Sequence, residues 1–181
     1  PKKLYHDSIV IDGLNVSNWN SPAVFDDLRA GNITAISATV ATWENFSETM
    51  DHLTAWIQRF RQRHDIVQIH TVADIHAAKK ANKTGIILSF QNASPIENDL
   101  DRLALFHALG VRVIQLTYHE RNLLGNGCFE RRDEGLSNFG IDAVHTMNEL
   151  GILIDLSHVG DRTTLEAIEV SEKPVTVTHA N

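Results

Sequence analysis

Two histidines end two consecutive apolar segments and are the residues best placed for chemistry. His158 ends the segment ILIDLSH (152–158), and His179 ends the segment PVTVTH (174–179). Each segment is typical of a buried parallel strand, because it is short, rich in Ile, Val and Leu, and polar mainly at its carboxyl end. Residues 161–171 between them predict a helix. This βαβ pattern places both imidazoles at the edge where α/β folds bind ligands, and imidazole is the commonest metal ligand.

Other polar side chains are expected at the same edge, because they follow the ends of the other predicted strands. His119 is expected to contact the substrate or the site, whereas Gln91 is a poor metal ligand because its amide oxygen is uncharged. Strand alternation places Asp155 on the opposite face from His158, so we expect Asp155 to orient a neighbouring ligand. The full set is Asn15, Ser17, Thr39, Thr42, Gln91, Asn92, Tyr118, His119, His158 and His179.

The remaining reactive side chains are predicted to have ordinary roles. Cys128 is the one cysteine, so no internal disulfide is available. Since the sequence places no base beside it, we expect a loop or core residue near Gly125 and Gly127 rather than a nucleophile or a metal ligand. The charged run 130–134 is expected to be a solvated loop or a salt-bridge cluster. Surface positions are expected for the other histidines, which are His6, His52, His64, His70, His76, His107 and His145.

Composition limits the class of protein and its partners. The chain has 181 residues, 43% of them hydrophobic and 22% charged, which is ordinary for one globular domain. Its net charge of −7 and the lack of a basic stripe argue against a nucleic-acid partner. No apolar segment approaches the roughly 20 residues of a membrane span. We expect a cytoplasmic protein with a small-molecule substrate. A leader removed before Pro1 and homo-oligomerisation stay open.

The chain alternates predicted strands and helices, which indicates a parallel α/β sheet. Asp12-Gly13 is predicted as a turn, and the long polar segment 120–137 as a functional loop. The predicted strands are 8–11, 33–41, 66–69 (short and peripheral), 85–90, 111–116, 152–158 and 174–179. The predicted helices are 22–29, 45–63, 72–81, 100–109, 141–150 and 161–171.

Six main strands with polar tips fit either a doubly wound sheet or part of a (β/α)₈ barrel. The chain ends at Asn181, directly after a predicted strand, and such a barrel needs about 250 residues. We therefore expect residues 1–181 to be a single domain that covers about the first six βα units of a (β/α)₈ TIM-type barrel, with two strands missing at the C-terminal end.

Four segments resemble sequences of the membrane (renal) dipeptidase family. Members of this family are zinc enzymes of the amidohydrolase group with a (β/α)₈ barrel. They are SIVIDGLNVSNW (8–19), LGVRVIQLTYHERN (109–122), GLSNFGIDAVHTMNELGILIDLSHVG (135–160) and KPVTVTHAN (173–181). The order of a GL-x-x-FG segment, an MN-x-LG helix end, a DLSH strand and a P-V-x-x-x-H strand makes the resemblance specific. It covers nearly the whole chain.

The resemblance implies which residues match the family's site. His158 and His179 fall on two zinc-ligand histidines. Tyr118 falls on the substrate-binding histidine, with His119 beside it. The first-strand His-x-Asp motif is replaced by Leu14 and Val16, and Gln91 stands where the family has a metal-bridging glutamate. The family's eighth-strand aspartate lies beyond Asn181. One whole metal position and two carboxylates are therefore missing.

Three functions remain open. The first is a dipeptidase-type hydrolase that cleaves a dipeptide or related small amide, with a zinc-activated water at an altered, single-metal site. Two zinc ions are less expected. In this function Tyr118, His119 and Gln91 line the substrate site. The second is a non-hydrolytic binding or regulatory protein on the same barrel, which the missing carboxylates favour and the retained histidine pair disfavours. The third is metal-free amide or ester chemistry, which no Ser-His-Asp spacing supports.

Overall fold

The structure is a computed structural model that describes residues 2–180, and it consists of strands that alternate with helices. The strands are β1 (Ile11–Asn15), β2 (Ala35–Ala41), β3 (Ile66–Gln68), β4 (Thr84–Phe90), β5 (Val111–Gln115) and β6 (Leu153–Asp155). The helices are α1 (Lys2–Asp7), α2 (Pro22–Ala30), α3 (Phe46–Gln62), α4 (Val72–Lys80), α5 (Asp101–Ala108), α6 (Asn138–Leu150) and α7 (Asp161–Val170), with a short 3₁₀ turn at Ser94–Ile96. Asn181, the last residue of the fourth matching segment, lies outside the described residues.

The strands form one parallel sheet in the order β1-β2-β4-β5-β6, which curls into a half-barrel with the helices packed against it. β3 pairs with the first residues of β4, from Thr84 to Ile86, whereas β5 pairs with the last ones, from Leu88 to Phe90. β3 is therefore peripheral, as its short apolar sequence predicts. The α/β barrel architecture expected from the sequence is confirmed.

The central strands are buried on both faces, as is typical of a parallel sheet. β2 and β4 accordingly consist mainly of apolar and small residues, and each has a single half-buried residue. Helix α3 packs Leu53 and Trp56 into this core, and Asn45 begins it with a capping box to Glu48. This rigid layer positions the loops that follow the strands.

The first strand differs from its prediction. It spans Ile11–Asn15 rather than 8–11, and the predicted turn at Asp12-Gly13 is wrong, because Asp12 pairs with Ile36 of β2 inside the strand. Gly13 lies against the main chain of Thr178, since a Cβ built on it would be 3.2 Å from the Thr178 carbonyl oxygen. Glycine here permits a close approach between β1 and the C-terminal segment.

The two histidine strands are shorter than predicted. β6 contains only Leu153–Asp155, and the predicted strand 174–179 contributes one isolated parallel bridge, between Thr176 and Asp155. Beyond β6 the chain turns, and His158 has a left-handed backbone with φ of 60°, which no regular strand contains. Both histidines therefore lie in turns and loops beyond the sheet, although at its carboxyl edge as expected.

Candidate functional site

The two histidines that the sequence singles out meet in the structure. His158 Nε2 lies 2.6 Å from His179 Nε2, and the ring centroids are 4.6 Å apart. A neutral imidazole has one N–H and one lone pair, so at this distance one ring nitrogen donates a hydrogen bond to the other. The structure therefore brings together the two predicted metal ligands.

Asp155 sets the orientation of His179 through Thr178. The Thr178 hydroxyl donates to Asp155 Oδ2 at 2.6 Å and lies 2.8 Å from His179 Nδ1. Because its one proton is used on Asp155, this hydroxyl accepts from His179, which places the imidazole proton on Nδ1. In the neutral ring, the lone pair is then on Nε2, the atom that faces His158. A hydrogen-bonded orienting partner of this kind is typical of metal-binding histidines.

Asp155 itself is 3% exposed and fully engaged. Its Oδ1 accepts from the backbone N–H and hydroxyl of Ser157, at 2.9 and 2.7 Å, and from the backbone N–H of Thr178 at 3.2 Å. These bonds satisfy a carboxylate that would otherwise be costly to bury. Asp155 therefore holds the segments of both histidines in register, in the orienting role that strand alternation predicts.

The surroundings of His158 favour the neutral form of its imidazole. Burial lowers the pKa of His158, and the proximity of the imidazoles of His179 and His119 lowers it further, whereas Asp155 acts in the opposite direction. A neutral imidazole keeps a lone pair, which is the form that binds metals.

Tyr118 and His119 join the histidine pair in an aromatic cluster. The His119 ring lies 4.5 Å from the His158 ring and 4.2 Å from Phe129, on which it stacks, and the Tyr118 ring lies 4.6 Å from His158. Trp43, which is 61% exposed, contacts Tyr118 edge-on at 5.0 Å. Both predicted substrate contacts after β5 thus lie beside the candidate metal ligands.

Cys128 is the residue of this site that sequence reasoning missed. It lies in a loop, as expected, but the donor atoms of His119, Cys128 and His158 are all within 4.8 Å of one another. The sequence places no base beside Cys128, but the fold brings two imidazoles close to it. The signal that could have found it is the sequence GNG directly before Cys128: a Cβ on Gly127 would overlap the main chain of His119, so glycine lets the loop fold back onto it.

The loop 120–137 is fastened to the start of α7. The backbone N–H of Asn126 donates to the Thr163 hydroxyl oxygen, and Asn126 Nδ2 donates to the Gly135 carbonyl. Asp133 Oδ2 accepts from the backbone N–H groups of Arg162 and Thr163, at 2.6 and 3.1 Å. Asp133 therefore caps a helix, and the charged run that contains it is not simply a solvated loop.

Three positions that differ from the family's ligand pattern lie around the same edge. Gln91 is buried, and its side-chain N–H donates to the Thr39 hydroxyl at 3.1 Å. Val16 is 67% exposed on the loop after β1, and Leu14 is half-buried in the strand. Among residues 2–180, no hydrogen bond joins Gln91 to a histidine. The expected contact between Gln91 and the substrate stays a prediction.

A cavity of about 430 Å³ adjoins Gln91, because its lining includes Thr39, whose hydroxyl accepts a hydrogen bond from the Gln91 side chain. Val16, Thr39, Thr42, Glu44 and Arg59 are among its lining residues, and Thr42 directly precedes Trp43, which contacts Tyr118. The cavity has the size of a small-molecule site.

One carboxylate of this cavity is held ionised. Partial burial alone would raise the pKa of Glu44, but hydrogen bonds from the backbone N–H groups of Thr42 and Trp43 outweigh it, so the pKa lies below its usual value. The cavity therefore offers a fixed negative charge in Glu44 and a positive one in Arg59.

Comparison with known proteins gives consistent results. The profile of the membrane dipeptidase family (peptidase family M19) matches residues 3–181. An amidohydrolase from Pseudomonas aeruginosa is 44% identical, with a TM-score of 0.96 over 99% of this chain and 55% of that one. An uncharacterized dipeptidase of Schizosaccharomyces pombe is 32% identical over 126 residues, which are 67% of this chain and 30% of that protein. The dipeptidase tcpJ of Claviceps purpurea is 30% identical over 114 residues, which are 62% of this chain and 27% of that protein.

The chain spans about half the length of the matched amidohydrolase and about a third of the two matched dipeptidases. Within the part of the chain that the structure describes, no helix is both long enough and apolar enough to cross a bilayer.

Proposed function

The chain belongs to the membrane dipeptidase family, peptidase family M19, and from this membership we propose that its protein is a metal-dependent hydrolase that cleaves a dipeptide or a related small amide. The single observation that carries the proposal is the His158–His179 pair, whose donor nitrogens face each other at 2.6 Å. Asp155 and Thr178 fix the tautomer that a metal ligand needs.

The donor set suits zinc. Zinc binds imidazole nitrogen and thiolate sulfur, and catalytic zinc sites use three protein ligands with an open fourth position. We propose His158 and His179 as two of these ligands, and a single ion rather than two, because Leu14, Val16 and Gln91 offer no charged donor. When bound, zinc supplies a Lewis acid that lowers the pKa of water to about 7.

The chain's own residues have distinct roles in this function. Asp155, through Thr178, keeps the proton of His179 on Nδ1 and so leaves Nε2 free. Tyr118 and His119, which adjoin His158, contact the carbonyl or the carboxylate of the substrate. Gln91, held by Thr39, forms part of the substrate site.

The neighbouring cavity of about 430 Å³ has room for a dipeptide. Its Arg59 and Glu44 have the charges that would attract the two termini of a zwitterionic substrate. In the same proposal, residues 1–181 form part of a single α/β barrel domain. The protein is cytoplasmic and binds no nucleic acid, and whether it forms a homo-oligomer stays open.

A second candidate is a binding or regulatory protein on the same barrel. The observation that favours it is the replacement of three expected ligands by Leu14, Val16 and Gln91, which removes two carboxylates. The paired histidines with their buried orienting carboxylate disfavour it, because a site without metal has no use for that arrangement.

Elemental analysis of the full-length purified protein distinguishes the metal-dependent hydrolase from the binding or regulatory protein, because it measures the metal content. The test variant is His158→Ala/His179→Ala, and the matched control is His64→Ala/His145→Ala. About one zinc per chain in wild type and control, absent from the test variant, supports the hydrolase and is followed by a screen of dipeptides and N-acyl amino acids. If wild type holds no metal and takes up none on zinc addition, the binding protein becomes the better interpretation.

A further inference from the structure

We propose that Cys128 and His119 are metal ligands of this chain, so that its site is a mixed nitrogen–sulfur site with His158 rather than a carboxylate site. The inference rests on the metal site proposed at His158. It assigns a role to a thiol and an imidazole that come from one loop and that match no ligand position of the family pattern described above.

The main chain builds this site. The backbone N–H of Cys128 donates to the His158 carbonyl at 2.9 Å, and the backbone N–H of Phe129 donates to the His119 carbonyl at 2.8 Å. Gly127 forms an antiparallel bridge with Val159 and packs directly on the main chain of His119. The loop is therefore bonded to both histidine segments, and Cys128 lies between them because of these bonds.

The distances suit one ion. The donor atoms of His119, Cys128 and His158 lie within 4.8 Å of one another. Zinc–nitrogen bonds are about 2.0–2.1 Å and zinc–sulfur bonds about 2.3 Å, so two donors of one tetrahedral zinc are about 3.3–3.7 Å apart. Side-chain rotations that move the donor atoms by about 1 Å bring the three donors to these distances. His179 is hydrogen-bonded to His158 at 2.6 Å and is not part of this three-donor group, so the fourth position of a tetrahedral ion stays open. In this assignment His119 binds the ion, and Tyr118 keeps the contact with the substrate.

Charge favours the thiolate. A divalent cation held only by neutral imidazoles is poorly compensated, and the positions that would supply carboxylates are Val16 and Gln91. Asp155 cannot replace them, because its oxygens already accept bonds from Ser157 and Thr178. Cys128 is exposed and unbridged, and as a thiolate it brings one negative charge to the site.

The ligand chemistry predicts which ions bind. Imidazole and thiolate suit zinc and cobalt, whereas manganese and magnesium prefer carboxylate and carbonyl oxygen. A carboxylate-rich site would accept manganese more readily. The protein should therefore bind zinc or cobalt and show no comparable uptake of manganese at the same concentration.

Cobalt substitution tests the inference without relying on activity. Metal-free, full-length protein is titrated with Co²⁺ under reducing conditions, and absorption is recorded in the near ultraviolet, where thiolate-to-cobalt charge transfer occurs, and in the visible. The variants are Cys128→Ser, His119→Ala and the double variant His158→Ala/His179→Ala, with His145→Ala as the control on an exposed histidine. Circular dichroism of the metal-free proteins confirms that each variant is folded.

We expect wild type and His145→Ala to show the charge-transfer band at one cobalt per chain. Cys128→Ser should lose the band and bind cobalt at least about tenfold more weakly, and His119→Ala should keep the band with weakened binding. If wild type binds one cobalt without the band, and Cys128→Ser binds it equally well, the inference is overturned while the proposed function stands. If wild type binds neither cobalt nor zinc, the metal-dependent function fails with it.

Discussion

At the scale of single residues, the site depends on where a few protons lie. Thr178 has one hydroxyl proton and uses it on Asp155, so the same oxygen accepts from His179. This bond determines which nitrogen of His179 is available, and it does so from a residue that does not itself touch His158. We therefore expect Thr178 to act as a positioning residue. Its replacement should change the affinity for a metal ion, although Thr178 is not itself a metal ligand.

Replacement of Thr178 by valine should weaken zinc binding by about 10- to 100-fold, because His179 loses the acceptor for its Nδ1 proton. Competition with a chromophoric zinc chelator measures the change. Thr178→Ser should keep the affinity of wild type, since it retains the hydroxyl. Thr176→Val, two residues earlier and without a side-chain hydrogen bond to Asp155, is the control. Equal affinity of Thr178→Val and Thr176→Val would contradict the assigned role.

At the scale of elements, the loop 120–137 connects β5, the turn after β6 and the start of α7. Asp133 caps α7 with bonds to two backbone N–H groups and to the Thr163 hydroxyl. Partial burial alone would raise the pKa of Asp133, but these bonds and one from the Gly135 N–H outweigh it, so the pKa is below its usual value. The capping charge therefore stabilises the end of the loop that carries Cys128.

Asp133→Asn should lower the free energy of unfolding by about 0.5–1 kcal/mol at neutral pH, because the negative charge at the helix N-terminus is lost. A carboxyl group with a depressed pKa contributes stability above its unfolded-state pKa, near 3.9, and loses it as the pH falls through the folded-state value. The difference from wild type should thus shrink between about pH 5 and about pH 3. Urea unfolding measures this difference in the free energy of unfolding. The control is Asp142→Asn, at an exposed position of α6. A difference independent of pH would exclude the charge as the cause.

The elements also show which parts of the molecule the sequence could predict. Local signals sufficed for most helices: Thr71 caps α4 with a capping box to Asp74, and Gly151 ends α6 in a left-handed conformation. The first strand was misplaced because Asp12-Gly13 has the composition of a turn, whereas its pairing with β2 is a tertiary effect. The α/β class followed from the alternation of predicted strands and helices, whereas the order of the strands in the sheet is known only from the structure.

The site was predictable only where it follows regular elements. His158 and His179 come at the ends of apolar runs, so their meeting follows from parallel pairing, although the lengths of both strands were overestimated. Cys128 comes from an irregular loop, whose path depends on main-chain bonds to His158 and His119 that no periodicity encodes. A glycine before the cysteine was the one local sign of that close approach.

At the scale of the whole molecule, one continuous parallel sheet holds a site built from distant segments. His119 and Cys128 follow β5, His158 follows β6, and His179 belongs to the C-terminal segment that lies against Gly13 of β1. An ion bound by these residues would connect segments that the sheet alone joins weakly, since the C-terminal segment contributes one isolated bridge.

Zinc should consequently raise the melting temperature of the full-length protein. A ligand at 1,000 times its dissociation constant stabilises the folded state by about 4 kcal/mol, which corresponds to roughly 10 °C for a domain of this size. Differential scanning calorimetry with and without zinc measures the shift, with His145→Ala as the control. His158→Ala/His179→Ala should melt at the same temperature in both conditions. If zinc raised the melting temperature of that variant by the same amount, the ion would bind at a different site.

His119 and His158 share a left-handed backbone, with φ of 58° and 60°. Glycine adopts this conformation freely, whereas for other residues it costs about 1 kcal/mol or more. A randomised library selected for folding alone should therefore accumulate glycine and asparagine at positions 119 and 158. A library selected for zinc uptake should return histidine. At these two positions, folding and metal binding favour different residues. The residues recovered there would show whether a library had been selected for folding or for zinc uptake.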